Sequence, residues 1–122
     1  MDSLKVTDAA SEAVAIAPRV KLSDIEAAIA ARFDSTAAEL VSGLIPGLYA
    51  PDATEAHALG QLRILSVCIL VMKNGFTIIG KSAPASAQNF SGDLGKQYAY
   101  EDAVRQLWPL MGYALRDRLA NG

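Results

Sequence analysis

The stretch VCILVMKNGFTIIGKS, residues 67–82, determines how the centre of this chain folds. Asn74-Gly75 stands between two apolar runs, residues 62–72 and residues 76–79, and this arrangement is typical of a β-hairpin. A type I′ turn needs positive φ at both central residues, and Asn-Gly tolerates this best. We therefore predict two antiparallel strands joined by a two-residue type I′ turn.

The predicted hairpin is apolar on both of its faces. A two-residue turn pairs Lys73 with Phe76, Val71 with Ile78, and Ile69 with Gly80 on one face, and Met72 with Thr77, Leu70 with Ile79, and Cys68 with Lys81 on the other. A hairpin with one wet face should instead alternate between apolar and polar residues. Because two strands alone are marginal in water, we expect the sheet to be covered on both sides or extended across a subunit boundary, as in a homo-oligomer.

Two capping boxes predict helices before the hairpin. Ser23 and Glu26 fit the first box, and the helix that it opens places Ile25, Ile29 and Phe33 on one face. A second box at Thr36 and Glu39 predicts a short helix that ends near Gly43.

A long helix is predicted after the hairpin, behind a loop that has a helical turn beginning at Ser86. Pro109 removes a backbone donor and predicts a kink. Glu101 and Arg105 have the spacing of a favourable i,i+4 ion pair. The apolar stripe of this helix consists of Leu94, Tyr100, Val104, Leu107, Met111, Leu115 and Leu119.

The length and composition predict one compact domain, and its predicted helices and hairpin make it an α+β domain. The chain has 122 residues, of which 52% are hydrophobic and 20% charged, as in globular proteins that bury a core. Residues 1–20 are rich in Ala and Ser, and we predict a flexible N-terminal arm. Residues 21–122 form the predicted domain, with N-terminal helices, a central antiparallel β-hairpin and a long kinked C-terminal helix.

The charge and hydropathy of the chain argue against several partners. The net charge of −2 gives no electrostatic reason to expect binding to nucleic acid or to a membrane surface. Arg116 and Arg118, with Arg63 and Lys73, could still form a local basic patch, but acidic neighbours such as Asp117 would dilute it. Residues 64–72 are far fewer than the roughly 20 that a membrane helix needs. Because the N-terminus also lacks a signal-peptide pattern, we predict a cytoplasmic protein.

Neither the cysteine nor the histidine predicts a metal or cofactor. Cys68 is the single cysteine and lies in the most apolar stretch, so we expect a buried small hydrophobe rather than a reactive thiol. His57 has no Cys, Asp or Glu partners at zinc-binding spacing. We expect no bound cofactor.

Residues 64–119 resemble a widespread family of small proteins encoded by tailed phages and prophages. The family is named after gene product forty-nine of coliphage N-four and gene sixty-six of phage S-f-six, and residues 19–30 carry a weaker similarity to it. The motifs that carry the resemblance are the KNGF turn at 73–76, Gly80, Ser82-Ala83, Asn89-Phe90, Gly95, Ala103, Trp108-Pro109-Leu110 and Gly112-Tyr113.

The chain also departs from the family pattern. Lys81 stands where an acidic residue is expected, Pro84 where many members would have Cys, and Ser91 where Asp is usual. Residues 34–60 are longer and different. A redox or metal role built on the missing cysteine therefore does not carry over. The resemblance implies a phage or prophage accessory protein and supplies no reaction.

The sequence contains no catalytic constellation, so we expect no enzyme activity. One histidine without a neighbouring nucleophile motif is not a triad, and the glycines lack phosphate-loop spacing. Ligand binding is the alternative: aromatic rings can stack on a base, an amide can form two hydrogen bonds, and cations can bind a phosphate. The candidate ligand-binding residues are Phe76, Lys81, Asn89, Tyr100 and Arg105.

These residues also have purely structural interpretations. Phe76 could belong to the core, Asn89 could cap the following helical segment, and Arg105 could pair only with Glu101. The candidates would converge on one ligand if the loop at 82–90 folds between hairpin and helix, in particular across a subunit interface.

We hypothesise a non-enzymatic counter-defence protein of phage that sequesters a small nucleotide immune signal, such as a cyclic nucleotide. Its size and layout are similar to those of known phage sponges for such signals. A protein-binding module that inhibits or redirects a host factor is the alternative, through an apolar patch at residues 44–49 or on the Tyr98 and Trp108 side of the helix. A structural accessory of the virion or of genome replication is a third hypothesis.

Overall fold

A computed structural model of the protein describes residues 2–15, 17–44 and 53–122. A three-stranded antiparallel sheet of order β1-β2-β3 has one face covered by a long helix, which confirms the α+β class. In chain order the elements are α1 (Ser3–Val14), α2 (Leu22–Ala28), β1 (Ile29–Thr36), α3 (Ala37–Leu44), α4 (Ala53–Leu62), β2 (Ser66–Met72), β3 (Thr77–Ser82), a 3-10 turn (Ala87–Asn89) and α5 (Gly92–Asn121).

The hairpin lies where the sequence predicts it, but the predicted type I′ turn is wrong. Gly75 has φ of 89°, whereas Asn74 keeps a negative φ. The Gly75 N–H donates to Met72 O (2.9 Å) and the Met72 N–H donates to Phe76 O (2.8 Å), which defines a three-residue loop with a glycine bulge. The Asn74 side chain accepts a hydrogen bond from the Phe76 N–H (2.9 Å), so this Asn stabilises the turn without adopting positive φ.

The longer loop shifts the predicted register by one residue. Val71 pairs with Thr77, Leu70 with Ile78, Ile69 with Ile79, Cys68 with Gly80, and Val67 with Lys81. Cys68, Leu70, Met72 and Ile78 consequently share the face that α5 buries. The opposite face, which we call the open face, also carries large apolar side chains, namely Phe33, Val67, Ile69, Val71 and Ile79.

The predicted helix through Phe33 is wrong in its second half. Helix α2 ends at Ala28 and the chain continues as β1, which pairs antiparallel with β2. The α2 cap also differs, since the Asp24 carboxylate accepts a hydrogen bond from the Lys21 N–H (2.8 Å). The second predicted box is confirmed in its first half: Thr36 Oγ1 accepts from the Glu39 N–H (3.2 Å) at the start of α3, whereas the Glu39 carboxylate accepts from the Ser35 hydroxyl (3.4 Å).

The core lies between the sheet and the middle of α5. Ala99, Ala103, Val104 and Leu107 are buried against the sheet, whereas Leu94 and Leu119 of the predicted stripe are exposed. Helix α5 approaches β3 most closely at Gly80. A Cβ on Gly80 would overlap Ala99 O and lie 2.6 Å from Ala103 N, so this position has room only for glycine. Helix α5 continues through Pro109.

The segment predicted to be a flexible arm contains helix α1, which is attached to the core. Leu4 is buried, and the Ser3 hydroxyl donates to Glu101 Oε1 (2.5 Å). Glu101 is itself buried and also accepts from Gln97 Nε2 (3.1 Å) and Arg105 Nη2 (3.4 Å), which confirms the predicted Glu101–Arg105 pair. A buried carboxylate needs such partners, so α1 contributes to the stability of α5. The division of the chain at residue 20 stays a prediction.

Candidate functional site

A groove lies beside the hairpin turn, between that turn and the second half of α5. Its volume is about 470 Å³, within the range of ~300–1,000 Å³ that is typical of small-molecule sites. Phe76 lies on one wall and is 52% exposed. It therefore does not belong to the core, which was the structural interpretation that the sequence offered for this residue. The apolar surface of the groove is formed by Ala28, Met72, Leu107, Leu110, Met111 and Ala114.

Two cations border this apolar surface. Lys73 comes from the hairpin loop and Arg118 from the last turns of α5. Within the described residues neither side chain is engaged in an ion pair. The Lys73 N–H donates to Ala28 O (2.9 Å), which fixes the loop against the end of α2. The groove therefore combines an exposed aromatic ring, an aliphatic floor and two cations available to an anion.

The candidate residues from the sequence are distributed over several places. Phe76 lines the groove, whereas Asn89 lines a smaller hollow at the other end of the sheet, beside Phe90 and Tyr98. Asn89 belongs to the 3-10 turn, and the helix after it is capped by Ser91, whose hydroxyl accepts from the Leu94 N–H (3.4 Å).

Tyr100, Lys81 and Arg105 make other contacts. Arg32 lies over the Tyr100 ring at 4.1 Å from its centroid, and burial, the largest cause, raises the pKa of Tyr100. The Lys81 N–H donates to Asp102 Oδ2 (3.0 Å). Arg105 Nη2 donates to Ser3 Oγ (2.6 Å) and to Glu101. Their joint action on one ligand stays a prediction.

The sequence did not identify the groove as a whole. It pointed to Phe76 as a stacking surface and to Lys73 and Arg118 as members of a basic patch, without joining them. The structure brings these three together and places Arg63 elsewhere, in a hollow between α3 and α4. The signal that could have joined them was the apolar stripe through Leu107 and Met111, which leads along α5 towards Arg118.

The open face of the sheet is the second surface of interest. Phe33 pairs with Ile69, which pairs with Ile79, so the three form one row across the strands. Phe33 and Ile79 are each 59% exposed. Of the patches predicted from sequence, all but the first of residues 44–49 lie outside the described residues. Tyr98 is exposed, and Trp108 is half-buried with Nε1 donating to Val20 O (3.3 Å).

Several other features bear on chemistry. Cys68 is fully buried, which confirms the prediction of a buried small hydrophobe. Burial raises the pKa of its thiol from 9.0 to about 11, with Asp34 as a smaller cause. Among the described residues, His, Cys, Asp and Glu form no group of three that could hold a metal ion. None of the helices in this part of the chain has the length and apolarity needed to cross a membrane.

Comparison with known proteins places this small α+β domain in a family. Residues 20–119 match the family described as "Phage protein (N4 Gp49/phage Sf6 gene 66)". The chain belongs to this family, which confirms the resemblance seen in its motifs. No curated protein and no solved structure matches the chain.

Proposed function

We propose that this phage protein is a non-enzymatic accessory protein that binds and sequesters a small nucleotide signal in the groove beside the hairpin turn. The observation that carries the proposal is the pairing of exposed Phe76 with Lys73 and Arg118 around one apolar floor. A nucleotide offers the complementary groups, a flat aromatic base and a phosphate.

The groove suits a nucleotide in both shape and charge. Stacking of a base on an aromatic side chain contributes about 1–3 kcal/mol, and it tolerates any base because every base has a π-face. With the base against Phe76, the floor at Leu107 and Met111 would exclude water from its second side. Arg118 can then bind a phosphate with two parallel hydrogen bonds, while Lys73 acts as a point charge.

The expected consequence is sequestration rather than turnover. A protein that holds its ligand with these groups needs no nucleophile or general base, and it lowers the free concentration of a signal in proportion to its own abundance. The overall charge of −2 is no obstacle, because a local pair of cations acts over a few ångströms, well within the Debye length of about 8 Å at physiological salt.

The test is native mass spectrometry and calorimetry with cyclic dinucleotides, cyclic trinucleotides and cyclic ADP-ribose isomers. We expect at least one of them to bind, and Phe76→Ala and Arg118→Ala each to weaken that binding about tenfold or more. Tyr113→Ala is the matched control, since Tyr113 is a 75% exposed aromatic on the same helix that does not line the groove. If no ligand of the panel binds, or if Tyr113→Ala weakens binding as much as Phe76→Ala, the proposal fails.

A second candidate function rests on the open face of the sheet. A protein-binding module that inhibits or redirects a host factor would need an exposed apolar surface, and the row of Phe33, Ile69 and Ile79 provides one. Pull-down from host lysate with wild-type protein and with Ile79→Glu separates the two functions. A stoichiometric host protein lost with Ile79→Glu would favour this candidate, whereas a small molecule released on boiling and lost with Phe76→Ala would favour sequestration.

A further inference from the structure

We propose that the chain forms a two-fold symmetric dimer in which the outer edge of β1 pairs antiparallel with β1 of a second copy. In this dimer Phe33 lies opposite the partner's Phe33, and Arg32 lies opposite the partner's Asp34. The two three-stranded sheets then form one six-stranded sheet. This inference is independent of the nucleotide groove, which lies at the hairpin turn and α5.

The two outer edges of the sheet are protected very differently. On β3 the outward-pointing groups are occupied by side chains of α5: the Lys81 N–H donates to Asp102 Oδ2 (3.0 Å), and Ile79 O accepts from Gln106 Nε2 (2.8 Å). On β1, Arg32, Phe33 and Asp34 are exposed in succession. In the described part of the chain no hydrogen bond covers the outer backbone edge of these residues. Natural sheets rarely leave such an edge without a cover.

The alternating direction of the backbone hydrogen bonds along β1 shows which of its N–H and C=O groups are free to pair. The Ala37 N–H donates to Leu65 O (2.9 Å) at the end of the β1–β2 ladder, so odd-numbered residues of β1 direct their backbone groups towards β2. Arg32 and Asp34 therefore direct their N–H and C=O groups outwards. Any antiparallel partner on this edge must place an even-numbered residue opposite another even-numbered residue.

The charges of Arg32 and Asp34 favour one of the registers that this alternation of backbone hydrogen bonds allows. Pairing Arg32 with the partner's Asp34 sets opposite charges against each other twice, once on each side of the two-fold axis. A shift by one pair in either direction places Arg32 against the partner's Arg32, or Asp34 against the partner's Asp34, and like charges directly opposite are destabilising. Arg32 and Asp34 already form an ion pair within one chain at 3.1 Å, so the chosen register creates a square of alternating charges.

The same register joins the apolar surfaces of the two copies. Phe33 points to the open face, so the two rings meet at the axis as a non-hydrogen-bonded pair, in which the Cα atoms are about 4.5 Å apart. Aromatic pairs across strands contribute stability beyond their burial. The rows of Phe33, Ile69 and Ile79 then become one continuous apolar strip, which accounts for the 59% exposure of Phe33 in a single chain.

Disulfide cross-linking tests the position of the axis. In Phe33→Cys the Cα atoms of the two cysteines lie within the separation of about 4.4–6.8 Å that a disulfide needs. Mild oxidation should therefore convert most of the full-length protein to a covalent dimer. The control is Ile79→Cys, because Ile79 is equally exposed on the same face but lies on the covered edge strand. Cys68 is buried and will not interfere. Equal cross-linking of both variants, or none at position 33, would overturn the proposal.

Charge reversal tests the register, measured by analytical ultracentrifugation over a range of concentrations. Arg32→Asp alone and Asp34→Arg alone each create two like-charged pairs and should raise the dimer Kd about tenfold. The double variant Arg32→Asp with Asp34→Arg restores opposite pairs and should recover most of the affinity, with circular dichroism confirming the fold throughout. A wild-type chain that stays monomeric, or a double variant as weak as the single ones, would contradict the proposed pairing.

Discussion

At the scale of single residues, Gly80 is the point where α5 comes closest to the sheet. A Cβ at this position would overlap Ala99 O and lie 2.6 Å from Ala103 N, both backbone atoms that cannot move independently of the helix. We expect Gly80→Ala to lower the free energy of unfolding by about 3 kcal/mol, the upper part of the range for overpacking. Urea denaturation followed by circular dichroism measures it.

Gly112→Ala is the matched control for this prediction. Nothing lies within 4 Å of a Cβ at Gly112, and Ala is favoured over Gly in a helix by roughly 0.5–1 kcal/mol. This variant should therefore be slightly more stable than the wild type. Similar effects of the two substitutions would mean that the contact at Gly80 does not limit the packing of α5.

The thiol of Cys68 predicts a loss of stability at high pH. Burial raises the pKa of Cys68 from 9.0 to about 11 in the folded state. Below pH 9 the thiol is protonated in both states and has no effect, but between pH 9 and 11 the folded state binds more protons, so stability falls as pH rises. Cys68→Ala should lose stability less steeply over this interval. Tyr100, whose pKa is also raised, leaves part of the dependence in place. Equal slopes for both proteins would contradict this assignment.

At the scale of secondary-structure elements, the hairpin turn distinguishes two residues that the sequence treats alike. Only Gly75 has positive φ, at 89°, whereas Asn74 contributes through its side-chain bond to the Phe76 N–H. Gly75→Ala should destabilise the protein by about 1–2 kcal/mol, because L-residues are strained in the left-handed region. Asn74→Ala should have an effect of about half that size, since it removes one exposed hydrogen bond. Thermal unfolding of both variants decides, and equal effects would favour the type I′ geometry.

The elements that could be predicted from the sequence are those fixed by local interactions. The Thr36 cap, the turn at Ser86 and the two hairpin strands depend on neighbouring residues, and all three are present. Strand β1 was missed because Ile25, Ile29 and Phe33 have helical spacing. Pairing with β2 overrides that local preference, since a long-range partner supplies backbone hydrogen bonds and burial that a periodicity in one segment cannot reveal.

At the scale of the whole molecule, the candidate site illustrates the same limit. Phe76 could be proposed from its residue type and its place beside a turn, but its association with Arg118 depends on how α5 crosses the sheet. That crossing is set by the close contact at Gly80 and by the small residues Ala99 and Ala103. A sequence shows that such residues are small, and only the fold shows which surface they bring together.

The N-terminal helix gives the prediction that concerns the molecule as a whole. Leu4 belongs to the core and the Ser3 hydroxyl binds buried Glu101, although the family match begins only at residue 20. Deleting residues 1–14 should lower the free energy of unfolding by about 3–5 kcal/mol, from lost apolar burial and a lost hydrogen bond to a charged group.

Val14→Ala, at a 79% exposed position of the same helix, is the control and should be nearly neutral. Hydrogen exchange should show the amides near Glu101 losing protection in the deletion variant. A truncated chain as stable as the full one would mean that residues 1–14 form an independent arm, because the carboxylate would then be satisfied by Gln97 and Arg105 alone.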